Sequence, residues 1–335
     1  MEKKTPKDFW NSSTVAVLGG GSWGTVVAHL LSRNSRSVRM WVRSEEDVRR
    51  FNSTRVNLKY VPGVQLDSKV YATSSLAQVF NGGVQAIFWV LPSQSCRVIA
   101  KEVAPLVRGD EILIHATKGI EAVSMKRISQ ILSEELPLRR LGVMSGPNLA
   151  HEIAQGEPAA TVVASSFDEV CDAGQYLLQG SQFRVYREKD LLGVEWAGVL
   201  KNILAIAAGV LDGLKMGANC RSMLITLGLK EMVRFGVFMG AQEETFLGLA
   251  GIGDVLATCG SSESRNYRVG FRLAQGDGID QILAGLGSTA EGVLTAQSVF
   301  RFAQEHGISM PLTQSVCQLI QGEGSAQEIV QGLTR

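Results

Sequence analysis

From about residue 14 to 190 the chain alternates two kinds of segment. Short β-branched runs recur: TVAVL (14–18), SVRMWV (37–42), VQAIFWVLP (84–92), EILIHAT (111–117), LGVMSG (141–146), AATVVAS (159–165) and FRVY (183–186). Polar or amphipathic stretches separate them. Two of these, RISQILSEEL and FDEVCDAGQYLLQ, place apolar residues at helical spacing and predict helices. Strand–helix alternation predicts a parallel sheet with crossover helices. After about 193 the strand runs stop. LKNILAIAAGVL, RSMLITLGLKEMVRFGVFMGA and GVLTAQSVFRFAQEHG all read as helices, and the tail reads as a turn and a last short helix. The expected fold class is α/β. A domain with a mainly parallel sheet spans 1–192, and an all-α domain spans 193–335.

One predicted helix poses a chemical question. GVEWAGVLKNILAIAAGVLDG, residues 193–213, is apolar almost all the way round, as a core helix is. Lys201 and Asn202 lie in its middle. At helical spacing Lys201 shares its face with Ala197, Gly198, Leu204, Ala205 and Ala208, so no polar stripe leads it to water. A buried ammonium is costly and has a lowered pKa. Lysines in such places often carry out proton chemistry. A structural pairing with a carboxylate, or a side chain that snorkels to the surface, also accounts for the pattern.

Composition narrows the class. The 335 residues suggest two domains. Hydrophobic residues make up 45% and charged residues 19%, which excludes a disordered chain. The 33 basic and 32 acidic residues nearly cancel, so nothing calls for a nucleic-acid or anionic-membrane partner. No run of about 18 uninterrupted apolar residues predicts a membrane span. The start, MEKKTPKDFWNSSTV, lacks the apolar core of a secretory signal. Five scattered cysteines without a CxxC fit reduced thiols in the cytoplasm. The four histidines have no ligand spacing, so no metal site is expected.

The first strand runs into Gly19-x-Gly21-x-x-Gly24, and a helix follows. Glycine permits the tight turn, the close approach of pyrophosphate and close helix–strand packing. The helix N-terminus offers N–H groups and a positive dipole end to phosphates. This context predicts a bound dinucleotide. The second strand ends RMWVRSEED. An acid that would bind a ribose 2′-hydroxyl is replaced by Arg43 and Ser44, which favours NADPH over NADH. A solvated helix start explains the same residues.

Two other stretches carry candidate chemistry. Lys118 in LIHATKGIE follows a strand end, where parallel sheets place ligands. In LGLAGIGDVLATCGSSESRNYRVG, Asp254 follows a glycine-rich turn, and Ser264, Arg265 and Asn266 offer a planar fork with neutral donors suited to phosphate. Taken singly, these are a turn lysine, a loop and a helix cap.

Together these stretches resemble the bacterial NAD(P)-dependent glycerol-3-phosphate dehydrogenase family. The ordered set is GGGSWGT, LP at 91–92, ATKG, SGPNLAHE, GVEWAGVLKNILAIAAG, GANCRSMLIT, GLAGIGDVLATC, SRN, AEG and MPLT, and it covers about 14–320. The resemblance implies a Rossmann-like domain, then a helical substrate domain, in a cytoplasmic homodimer. It implies interconversion of dihydroxyacetone phosphate and sn-glycerol 3-phosphate, which supplies phospholipid synthesis. It assigns Lys201 as proton acceptor in alcohol oxidation, with Lys118 and Asp254 beside it. Lys118, Lys201, Gly146, Asn148, Asp254, Ser264, Arg265 and Asn266 are expected at the substrate. Ser22, Trp23, Arg43, Lys118, Ala150, Arg265, Thr289 and Glu291 join Gly19, Gly21 and Gly24 at the dinucleotide.

The chain departs from the family in places. Leu227 stands where TRG supplies an arginine, Gly20 replaces the alanine of an alanine–glycine turn, and Asn148 replaces threonine or serine. Two other readings share part of the pattern. A related two-domain dehydrogenase for a hydroxy acid or sugar phosphate would keep the glycine turn and the lysine–asparagine helix, but not the ordered set. A non-catalytic nucleotide sensor need not keep Lys201, Lys118 and Asp254 together.

Overall fold

A computed structural model describes residues 6–286 and 290–334. The chain forms two compact units. One comprises Met1–Thr117, Ile128–Met144 and Asn148–Leu191, and the other Lys118–Arg127, Ser145–Pro147 and Leu192–Arg335.

The first unit is built on an eight-stranded sheet. Its strands are β1 (Thr14–Leu18), β2 (Ser37–Trp41), β3 (Val70–Thr73), β4 (Ala86–Trp89), β5 (Ile112–His115), β6 (Leu141–Ser145), β7 (Ala159–Ala164) and β8 (Phe183–Glu188). The order across the sheet is β8-β7-β6-β5-β4-β1-β2-β3. β1 pairs in parallel with both β2 and β4, and β5 pairs in parallel with β4 and β6. Both faces are covered. Val15, Val17, Phe88 and Ile114 pack into one core, and Ala16, Leu18, Ile87 and Leu113 into the other. Burial on both sides is why these strands read as continuous apolar runs. From β1 the chain runs outward through β2 to β3, then returns to β4 and runs the other way. That reversal makes β1/β4 the switch point where such sheets take ligands.

The second unit is helical. Its central helix α2 (Leu191–Gly213) is preceded in the first unit by α1 (Ser22–Ser32), and is followed by α3 (Ala218–Phe238), α4 (Asp254–Cys259), α5 (Arg265–Ala274), α6 (Glu291–Glu305) and α7 (Pro311–Gln321). Leu224 and Phe235 of α3, Val269 of α5, Val299 of α6 and Val316 of α7 share one core with the apolar residues of α2. α2 and α5 meet backbone to backbone. A Cβ on Gly270 would lie 1.8 Å from the Ile206 carbonyl oxygen, and one on Gly209 would lie 2.0 Å from that of Tyr267. By length and composition alone α2 is long and apolar enough to cross a membrane, although Glu195, Lys201 and Asn202 interrupt it. Its apolar window is entirely buried, which marks it as a core helix.

Candidate active site

The glycine turn joins β1 to α1. Gly19 has φ +125°, a backbone that side chains disfavour, and a Cβ there would lie 2.2 Å from the Val90 carbonyl oxygen. A Cβ on Gly24 would lie 1.9 Å from the Gly19 carbonyl oxygen, so both positions require glycine. Around Gly21 nothing comes within 4 Å of an added Cβ. Gly21 is also the N-cap of α1 and offers no side chain to bond the first-turn amides. The turn therefore presents space and an uncapped helix N-terminus beside the switch point, and these residues fit a dinucleotide pyrophosphate. Ser22 and Trp23 open α1 and are half-buried. After β2, Ser44 is used as a helix cap, its Oγ accepting from the Asp47 N–H at 3.2 Å. Arg43 is left exposed.

In the second unit three charged side chains converge. The segment after β5 brings in Lys118, the middle of α2 brings in Lys201, and the first residue of α4 is Asp254. Asp254 is 1% exposed and Lys201 5% exposed. Lys118 Nζ donates to Asp254 Oδ2 at 2.6 Å and to the Gly146 carbonyl at 3.1 Å. Lys201 Nζ donates to Asp254 Oδ1 and, at 2.7 Å, to Thr258 Oγ1. Ser145 Oγ lies 3.4 Å from Asp254 Oδ2. The glycine-rich turn before α4 lets the chain pass close to Phe246, where a Cβ on Gly251 would lie 2.0 Å from the Phe246 carbonyl oxygen.

Burial is the largest influence on Lys201. Together with the nearby Lys118 charge it outweighs the attraction of Asp254 and lowers the ammonium pKa from 10.5 to about 7. Burial alone would raise the Asp254 pKa. The two ammonium groups outweigh it and hold the carboxyl below its ordinary range. The centre thus pairs a fixed carboxylate with an amine poised to exchange a proton near neutrality.

A chain of amides supports the centre. Asn202 Nδ2 donates to the Lys118 carbonyl at 3.0 Å. Asn266 Nδ2 donates to Asn202 Oδ1 at 2.9 Å, and the Gly292 N–H donates to Asn266 Oδ1 at 3.0 Å. Ser264 caps α5 by accepting from the Tyr267 N–H at 3.3 Å, and Arg265 is exposed on the first turn. Glu291 opens α6 and is half-buried.

The structure brings Lys118, Lys201, Asp254, Gly146 and Asn266 into one connected group. Asn148 is otherwise engaged: it donates to the Ala160 carbonyl at 2.9 Å and accepts from Thr161 Oγ1 at 2.9 Å. Ala150 begins a short helix, Ala150–Ala154. Thr289 lies outside the described residues. Thr258 and the side chain of Asn202 belong to the group but were absent from the expected site. Each left a faint signal. Thr258 stands one helical turn after Asp254, and Asn202 follows Lys201.

A doubly wound parallel sheet with a glycine turn at its switch point, and a lysine pair on one buried carboxylate, define an NAD(P)-dependent oxidoreductase. Family models agree in both halves: residues 14–171 match the N-terminus of NAD-dependent glycerol-3-phosphate dehydrogenase, and 190–331 match its C-terminus. The chain is 44% identical over 321 residues to an NAD(P)+ glycerol-3-phosphate dehydrogenase of Sphingopyxis alaskensis, covering 96% of each. It is 46% identical over 319 residues to one from Pseudomonas fluorescens, covering 95% of this chain and 89% of that one. The crystal structure of glycerol-3-phosphate dehydrogenase from Coxiella burnetii superposes with a TM-score of 0.91 at 35% identity, covering 97% of this chain and 99% of that chain. The chain belongs to the NAD-dependent glycerol-3-phosphate dehydrogenase family.

Proposed function

We infer that this enzyme interconverts dihydroxyacetone phosphate and sn-glycerol 3-phosphate, with Lys201 as the proton-transfer group. The observation that carries this reading is the single buried carboxylate shared by Lys118 and Lys201. A nicotinamide dinucleotide held at the glycine turn would supply or take up the hydride at the substrate carbon. During reduction negative charge grows on the carbonyl oxygen. Lys201, as an ammonium, stabilises that charge and delivers a proton, and Lys118 adds a second positive field. During oxidation the neutral Lys201 amine takes the hydroxyl proton. Asp254 both orients Lys201 and offsets the repulsion between the two lysines. Asn202 and Asn266 hold the Lys118 backbone. Arg265, Ser264 and Asn266 anchor the substrate phosphate, with Gly146 alongside, and remote binding energy positions the carbon. Arg43 favours NADPH, and Ala150 lines the dinucleotide.

Five free cysteines support a reducing cytoplasm. Met223, Leu227 and Phe238, exposed on α3, supply apolar surface for a homodimer, with Leu227 in place of the family arginine. Supply of glycerol 3-phosphate to phospholipid synthesis follows from the family. The decisive assay is NADPH oxidation by the purified protein with dihydroxyacetone phosphate. Turnover is expected, and Lys201→Ala should lower it about 10²-fold or more while dinucleotide binding persists. Turnover that survives in a folded Lys201→Ala protein removes the lysine from the mechanism.

A further inference from the structure

A side chain outside the glycine motif reaches into the turn. Val56–Asn57 pairs antiparallel with Val61–Gln65, and the connecting residues Leu58 and Tyr60 are exposed. Asn57 Nδ2 has two hydrogens, and both are used on the turn and its helix. One goes to the Gly20 carbonyl at 3.0 Å and the other to Thr25 Oγ1 at 2.8 Å. Because Thr25 Oγ1 accepts from Asn57, its own hydrogen is directed to the Gly21 carbonyl, at 2.8 Å. Ser22 Oγ, 3.4 Å from the Tyr60 carbonyl, ties the hairpin to the turn again.

We propose that Asn57, acting through Thr25, is a positioning residue that aims the amides of the glycine turn at the cofactor pyrophosphate. The reason is peptide geometry. In a trans peptide the N–H points opposite to the C=O of the same unit. The Gly20 carbonyl shares its unit with the Gly21 N–H, and the Gly21 carbonyl shares its unit with the Ser22 N–H. Holding both carbonyls on one side fixes both N–H groups to the other. Glycine gives this turn its conformational freedom, and freedom left unchecked would let these peptides rotate. The Asn57–Thr25 pair, together with the helical bond from the Thr25 N–H to the Gly21 carbonyl at 2.9 Å, removes that freedom before the ligand arrives, which lowers the ordering cost of binding. The proposal rests on reading the turn as the pyrophosphate site.

The test compares ADP, which carries a pyrophosphate, with adenosine, which does not, by calorimetric titration of the intact protein without substrate. The parent should bind ADP more tightly than adenosine. Asn57→Ala should weaken ADP roughly tenfold, the worth of one or two hydrogen bonds, and leave adenosine within about twofold. Thr25→Val should weaken ADP comparably and Thr25→Ser should restore it. The double variant Asn57→Ala/Thr25→Val should lose less than the product of the single losses. NADPH and NADH should lose equally in KM, with kcat at saturating cofactor near the parent value. Should Asn57→Ala not fold, Asn57→Ser, which keeps one donor, serves the same comparison. Equal losses for adenosine and ADP, or no loss for either, would overturn the proposal. A parent that binds ADP no more tightly than adenosine would overturn the pyrophosphate reading itself, and the proposal with it.

Discussion

Lys118 and Lys201 are held on opposite oxygens of one carboxylate, Asp254 Oδ2 and Oδ1. The carboxylate is almost wholly buried, so little solvent screens the three charges from one another. Two ammonium groups this close tolerate each other only because the carboxylate lies between them. The deeper of the two, Lys201, is the one whose proton is loosened.

The pH dependence follows from the lowered Lys201 pKa. Reduction uses the ammonium, and the pKa lies at about 7. kcat/KM for dihydroxyacetone phosphate should therefore fall as pH rises through that region. Oxidation of sn-glycerol 3-phosphate uses the neutral amine, so its kcat/KM should rise through the same region. Initial rates in both directions across pH 5–10 check the signs. Profiles that move together would exclude Lys201 as the shared acid and base.

Asp254→Asn removes the attraction that raises the Lys201 pKa and leaves burial and Lys118 unopposed. The inflection should move to lower pH. Turnover should drop on the order of 10²-fold, as the lysines lose their common anchor. An unmoved inflection with a normal rate would mean that Asp254 is only a structural partner.

Arg43 is exposed just beyond β2, whereas its neighbour Ser44 is occupied as a helix cap. If Arg43 holds a 2′-phosphate, Arg43→Ala should raise the KM for NADPH about tenfold while sparing NADH. A parallel loss for both cofactors, or none for either, would mark the arginine as surface charge.

Arg265 lies on the first turn of α5, and its planar guanidinium fork suits a phosphate. Arg265→Lys keeps the charge and loses the planar fork. KM for dihydroxyacetone phosphate should rise, with some fall in kcat if the anchor also aligns the carbonyl. A ketone without the phosphate should be a poor substrate and should barely register the change. Equal factors for both ketones would reassign Arg265 to the cofactor or to loop structure.

Seven of the eight sheet strands were legible as short β-branched or apolar runs: the inner strands Ala86–Trp89, Ile112–His115 and Leu141–Ser145 because both their faces are buried, and Ser37–Trp41 and Phe183–Glu188 because buried and more open positions alternate along them. Val70–Thr73 was not. It is four residues long, it occupies the sheet edge, and Tyr71 is exposed. The glycine turn was legible because its requirements are local, set by one strand, one turn and one helix. α2 was legible as a core helix, and Lys201 stood out within it because an ammonium contradicts that pattern.

What Lys201 pairs with was decided only by the tertiary structure. Asp254 lies 53 residues beyond it, and Lys118 lies 136 residues before Asp254. No periodicity spans such distances. Asn202 and Thr258 show the same limit, since a neutral side chain in an apolar helix leaves no charge anomaly to notice. Asn57 is the furthest case, for in the sequence it is one polar residue among many, and its hairpin appears only in the structure. Its work depends on the direction of a carbonyl 37 residues earlier. Sequence records which groups are present and their local rhythm. The directions in which those groups point are set when the chain closes on itself, and hydrogen bonding and proton transfer depend on direction.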